Sequence, residues 1–181
     1  MIRKFGVMAL CWMLLFSFVP DCGWAQLNSS GISVSLNAPL LELITVSATP
    51  TSVSFTLAGD GTASGNTSIS ITTTWVLAVG RSNVKLYAYF VSATAALSDG
   101  ASHNIPSSAV SGSINGGTPT AFTATSPFAT GSSLQIFSQT VSGVTLNANR
   151  TDTLALQINT SGLNLPAATY SGTLVIEAQA T

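Results

Sequence analysis

Apolar and polar residues alternate along this chain in short runs with a period of two. Leu174, Ile176, Ala178 and Ala180 alternate with Thr173, Glu177 and Gln179, the rhythm of a half-buried strand. Leu154, Leu156 and Ile158 repeat it. Ile69, Ile71, Thr73, Trp75 and Leu77 make one face of a long strand. Val84, Leu86, Ala88 and Phe90 make one face of the next, with Lys85, Tyr87, Tyr89 and Val91 on the other. A denser strand is expected over residues 40–47. After the break at Thr49-Pro50, Val53, Phe55 and Leu57 alternate again, and Ile32, Val34 and Leu36 alternate with serines. Strand character returns over residues 134–141. Between residues 92 and 130 there are only short pieces around Ile105, Val110, Ile114 and Phe122, broken by Pro106, Asn115-Gly116-Gly117, Pro119 and Pro127. They predict short edge strands and loops. No helical period and no internal repeat interrupts this. The pattern predicts an all-β fold over residues 26–181, a single antiparallel β-sandwich of about eight to ten strands.

The first residues read differently. Arg3 and Lys4 precede an apolar run over residues 5–19, which Pro20 ends, and Gly23-Trp24-Ala25 puts small residues where a signal peptidase reads. This predicts a signal peptide over residues 1–25. The alternative is an N-terminal membrane anchor, for which the run is short against the about 20 residues that cross a bilayer. Cleavage removes Cys11, Cys22 and every methionine. The mature chain is then exported yet free of disulfides, has no transmembrane span, and is long enough for one core to hold it together. The expected location is the periplasm, the cell surface or the medium.

Charge is sparse after residue 25. The bases are Arg81, Lys85 and Arg150, and the acids are Glu42, Asp60, Asp99, Asp152 and Glu177. Without a basic patch there is no electrostatic footprint for nucleic acid. Surface polarity falls to Ser, Thr, Asn and Gly, and a weakly charged surface resists self-association poorly. That suits a chain that assembles.

Candidate chemistry is thin. His103 is the only histidine and is expected on a solvated loop, so no nucleophile has a base assigned to it. His and Cys are too few for a metal site and the carboxylates are scattered. No enzyme, cofactor or metal is expected. Asp60 and Asp99 each precede glycine and read as turn formers. Asp152 can pair with Arg150, a pair worth little if exposed. Trp75 is expected to be the core aromatic. Tyr87 and Tyr89 share a strand face and offer either a sugar-stacking platform or cross-strand packing. The platform supports a secreted carbohydrate-binding module as the alternative function, with a glycan as partner.

Ahead of the last strand, residues 163–170 read Leu-Asn-Leu-Pro-Ala-Ala-Thr-Tyr. Tyr170 has the parity of Leu174 and Ile176, so its ring points inward. Leu165 and Pro166 shape the approach, and Gly172 permits close packing. This is the pattern of a tyrosine corner, whose hydroxyl bonds back to the upstream backbone. The final strand then has no successor to pair with, which predicts that a strand from elsewhere completes the sheet.

With these residues the chain resembles immunoglobulin-like bacterial surface proteins, most of all chaperone–usher pilus subunits and the related spore-coat-protein-U type secreted proteins. The resemblance covers residues 150–181. It implies an immunoglobulin-like sandwich that lacks its last strand and receives an N-terminal extension from the next subunit. The implied acceptor is the strand carrying Leu174, Ile176, Ala178 and Ala180. The candidate donor is Gly31, Ile32, Val34 and Leu36, within residues 26–37 and preceded by Asn28-Ser29-Ser30. Residues 31–36 can equally form the first strand of their own sandwich. The implied partners are other copies of the chain or a periplasmic chaperone. The implied function is that of a non-enzymatic structural or adhesive surface protein. The chain departs from the family in lacking a mature cysteine and an aromatic residue near its end.

Overall fold

The computed structural model describes residues 35–128 and 131–181. The expected leader and the candidate donor residues Gly31, Ile32 and Val34 lie outside the described residues. Leu36 belongs to no strand and is exposed. All strands lie in the unit Pro39–Thr181.

In chain order the strands are β1 (Leu43–Thr49), β2 (Thr62–Ser64), β3 (Ile69–Val76), β4 (Asn83–Phe90), β5 (Leu97–Ser98), β6 (Asn104–Ile105), β7 (Val110–Ile114), β8 (Thr120–Ala121), β9 (Ser133–Thr140), β10 (Asn147–Asn159) and β11 (Leu174–Ala180). Short 3-10 turns at Ser107–Ala109 and Gly143–Leu146 precede β7 and β10. One sheet runs β1-β3-β10-β7-β8, with β2 also on β10. The second runs β11-β4-β9, and β5 pairs with β6. Every ladder between these strands is antiparallel. The expected all-β antiparallel sandwich is what forms.

The core comes from alternation. Ile69, Ile71 and Trp75 of β3 and Leu154, Leu156 and Ile158 of β10 are buried together with Val84, Leu86, Ala88 and Phe90 of β4 and Leu134 of β9. Full burial of each large side chain is worth about 1.5–3 kcal/mol. That is the stabilisation available to a chain that uses no disulfide.

Three expectations need correction. The strand expected over residues 40–47 starts at Leu43, because β3 ends opposite it at Val76 and leaves Leu40 and Leu41 no partner. They stay exposed. Val53, Phe55 and Leu57 keep their half-buried alternation but form no strand. Their stretch has only a bridge between Phe55 and Gly65. Arg150 and Asp152 form the pair that was expected, but not in the exposed setting that would make it worth little. They stand on the inward row of β10, where Asp152 is 1% exposed. The Arg150 guanidinium bonds it at 2.7 Å from both Nε and the terminal nitrogen, and Asn115 Nδ2 donates to it at 2.7 Å. The guanidinium also lies 4.6 Å from the centre of the Phe137 ring. Burial raises the Asp152 pKa, yet the Arg150 and Asn115 hydrogen bonds outweigh it and hold the carboxyl below its ordinary range.

Tyr87 is the third. The β4–β9 register shifts between Leu86 and Tyr87, and Phe128 packs edge-on against Tyr87 with centroids 5.5 Å apart. Tyr87 is therefore buried, although its parity points it away from the core.

Candidate functional site

The two sheets fail to close along one side, and local sequence explains why. β1 follows β3 as far as Thr49, opposite Ser70. Pro50 follows, and proline has no N–H to continue a ladder. Residues 51–57 then run on with a single backbone attachment among the described residues. The Ser54 N–H donates to Asn66 Oδ1 and the Asn66 N–H donates to Ser54 O, both at 2.9 Å. An asparagine side chain thus replaces half of a strand bridge.

The opposite wall is β11 and the corner that feeds it. β11 pairs with β4 from Leu174 opposite Phe90 to Ala180 opposite Val84. Its other edge has no ladder partner among the described residues. Upstream, Tyr170 Oη donates to Pro166 O at 3.1 Å, the bond of a tyrosine corner. Burial first, and the Asp99 charge second, push the Tyr170 phenol above its ordinary pKa and keep it a neutral donor. Leu165 is half-buried against the core. Ser171 and Ser98 exchange backbone hydrogen bonds, both at 2.9 Å. Gly172 lies so close to β5 that a Cβ there would stand 2.0 Å from Ala96 O. Only glycine lets this wall approach the β5–β6 hairpin.

Between the walls lies a groove of about 840 Å³. Val53, Phe55 and Leu57 line one side and Leu174 and Ile176 the other. Ile69, Phe90, Val110, Leu156 and Ile158 form the floor. Ala178 and Ala180 continue the half-buried row of β11 beyond it. Among the described residues, no carboxylate, histidine or basic side chain lines the groove, so the lining holds no charge to orient an ionic substrate. It offers apolar side-chain sites at strand spacing beside a sheet edge.

The other predicted residues lie elsewhere. Trp75 is fully buried and donates from Nε1 to Thr145 O at 2.9 Å. Tyr87 and Tyr89 do share a patch, and Phe128 packs on both. Phe128 stacks on Tyr89 with centroids 5.1 Å and planes 16° apart, and the Tyr89 hydroxyl donates to Glu177 at 2.9 Å. Tyr87 is buried in this packing, and Tyr89 stays half-buried. His103 Nδ1 lies 2.7 Å from Asp99 Oδ2. The Ala101 and His103 backbone N–H groups also donate to Asp99. The pair closes the β5–β6 turn and touches nothing nucleophilic. No group of metal-binding side chains forms, and no helix is long and apolar enough to cross a membrane, among the described residues.

Sequence reading missed the groove as an object. Its one signal was the proline between two alternating stretches, which breaks the first strand where the sandwich opens. No protein-family model, no curated protein and no solved structure matches the chain.

Proposed function

We propose that this protein is a non-enzymatic, exported surface subunit that takes up an extended strand in its open groove and so builds a fimbria-like structural or adhesive assembly. The observation that carries this reading is the groove itself, an apolar floor beside β11, whose outer edge has no ladder partner among the described residues. Free sheet edges invite pairing, and proteins that avoid it place charges, bulges or prolines along the edge. The single charge on β11, Glu177, is engaged with Tyr89, and the inward residues beside the edge are apolar. An added strand with apolar residues at every second position satisfies the backbone edge and covers the floor together. Covering apolar surface is worth about 25 cal/mol per Å². Residues 26–37, with Ile32, Val34 and Leu36 at alternate positions, have the pattern such a strand requires, and another copy of the chain supplies it.

The test is electrophoresis of unboiled exported protein. The expected result is an SDS-resistant ladder that collapses on boiling and vanishes when residues 26–36 are deleted or when Ile176→Lys puts a charge in the groove. A full-length protein that stays monomeric at high concentration refutes the reading.

A further inference from the structure

The sandwich carries a second apolar feature, at the pole where β1 begins. Leu40, Leu41, Leu43, Val79 and Val144 are exposed there, and with Leu36 and Val91 they make up the exposed large hydrophobics of the described residues. Backbone pairing gathers them. Leu43 stands opposite Val76, which stands opposite Asn147 on its other side. The Leu77 N–H donates to Leu146 O at 2.8 Å. The Ala78 N–H donates to Glu42 Oε1 at 2.8 Å, and Arg81 donates to the same carboxylate at 3.1 and 3.0 Å. The start of β1, the β3–β4 turn with Val79 and the 3-10 turn with Val144 therefore lie side by side. Exposed hydrophobics scattered singly need no explanation, but a contiguous group marks an interaction site. The charges within the group cancel. Arg81 chiefly, and the Ala78 N–H after it, hold the Glu42 carboxyl down at about 2, so the pair stays ionised and neutral overall. Nothing here draws nucleic acid or an anionic lipid surface.

We infer that this pole is the surface on which a neighbouring copy of the same chain packs within the assembly. The inference rests on the strand-uptake reading above. The folded unit starts at Pro39, inside the patch. If residues 26–37 occupy a neighbour's groove, the five residues 38–42 are all that separates that groove from β1, and they span at most about 18 Å. The neighbour's groove-bearing face is thereby held against Leu40, Leu41, Leu43, Val79 and Val144. Pole and groove are different surfaces: the groove takes its β1 lining from Ala48, at the far end of the strand from Leu43, and only Ala180 at the end of β11 comes back beside Leu43. The contact is thus heterologous, head to tail, and repeats without closing. It adds a body-to-body interface to the inserted strand and limits rotation about the linker.

Single thiols test it, because the sequence has no cysteine after Cys22. Val79→Cys and Val144→Cys place one each on the pole, and Gln135→Cys places a control on the exposed face of β9. Maleimide labelling rates are compared between the native assembly and the monomer made by deleting residues 26–36. The expected result is labelling at least ten-fold slower in the assembly at positions 79 and 144, with position 135 unchanged. Equal labelling at all three positions in a protein that still forms the SDS-resistant ladder overturns the packing and leaves strand uptake standing. Absence of any ladder from the unmodified protein overturns both.

Discussion

Asp152→Ala removes one half of an ion pair that the sandwich has taken inside. The Asp152 side chain is 1% exposed and accepts three hydrogen bonds at 2.7 Å, two from Arg150 and one from Asn115. Breaking a buried pair on one side costs about 3–5 kcal/mol, because the remaining charge is left uncompensated. Arg150 keeps 36% of its side chain exposed, so water reaches the guanidinium and the cost falls near the low end, about 3 kcal/mol. For a chain of this size that lowers Tm by about 10 °C. The assay is urea unfolding followed by the emission of Trp75, whose indole is fully buried. A companion Arg150→Met/Asp152→Ala variant leaves no lone charge and keeps an apolar stem against Phe137, so it should regain most of the loss. The pH dependence has a definite sign. The folded pKa of Asp152 lies below its ordinary 3.8, so the unfolded chain binds more protons in that window. The contribution is fully present above about pH 5 and disappears as pH falls below the ordinary value through the lowered one. The gap between parent and Asp152→Ala should therefore narrow in acid. A cost under about 1 kcal/mol, or a double variant no more stable than Asp152→Ala alone, refutes the assignment of a buried, stabilising pair.

Two further substitutions probe the walls of the site. Gly172→Ala drives a Cβ against Ala96 O, a backbone atom with no rotamer to yield. It should displace the Ser171–Ser98 bridge, cost about 1–3 kcal/mol and weaken the ladder, and an unchanged urea midpoint contradicts the close approach. Phe128→Ala removes the ring that covers Tyr87 and Tyr89. It should cost about 1–2 kcal/mol and raise the nitration of both tyrosines, and nitration equal to that of the parent shows that Phe128 does not cover them.

How much was legible depended on the range of the forces involved. The alternation of Ile69, Ile71 and Trp75 and of Leu154, Leu156 and Ile158 is local. It marks strands because side chains on a pleated backbone point to opposite faces. The corner at Pro166 and Tyr170 was readable for the same reason, since its hydrogen bond joins residues four apart. Other features failed where distant residues decide. Val53, Phe55 and Leu57 have the pattern of a strand, but a strand also needs a partner, and β1 and β11 leave them one only at Gly65. Tyr87 has outward parity, and Phe128 from another loop covers it. The pairing of Arg150 with Asp152 was readable, but whether it is exposed was decided only by the packing of β10, whose pairing with β3 sets their row inward.

The sequence alone therefore determined the class of the fold and most of its strands, because hydrophobic periodicity is a property of the chain itself. The tertiary structure alone decided that the sheets stay open beside β11, that the buried Asp152 carboxylate pairs with a part-exposed Arg150, and that Leu43, Val79 and Val144 gather at one pole. Each of these depends on which strand edges come to lie together, and edge pairing is settled by contacts between residues far apart in the chain.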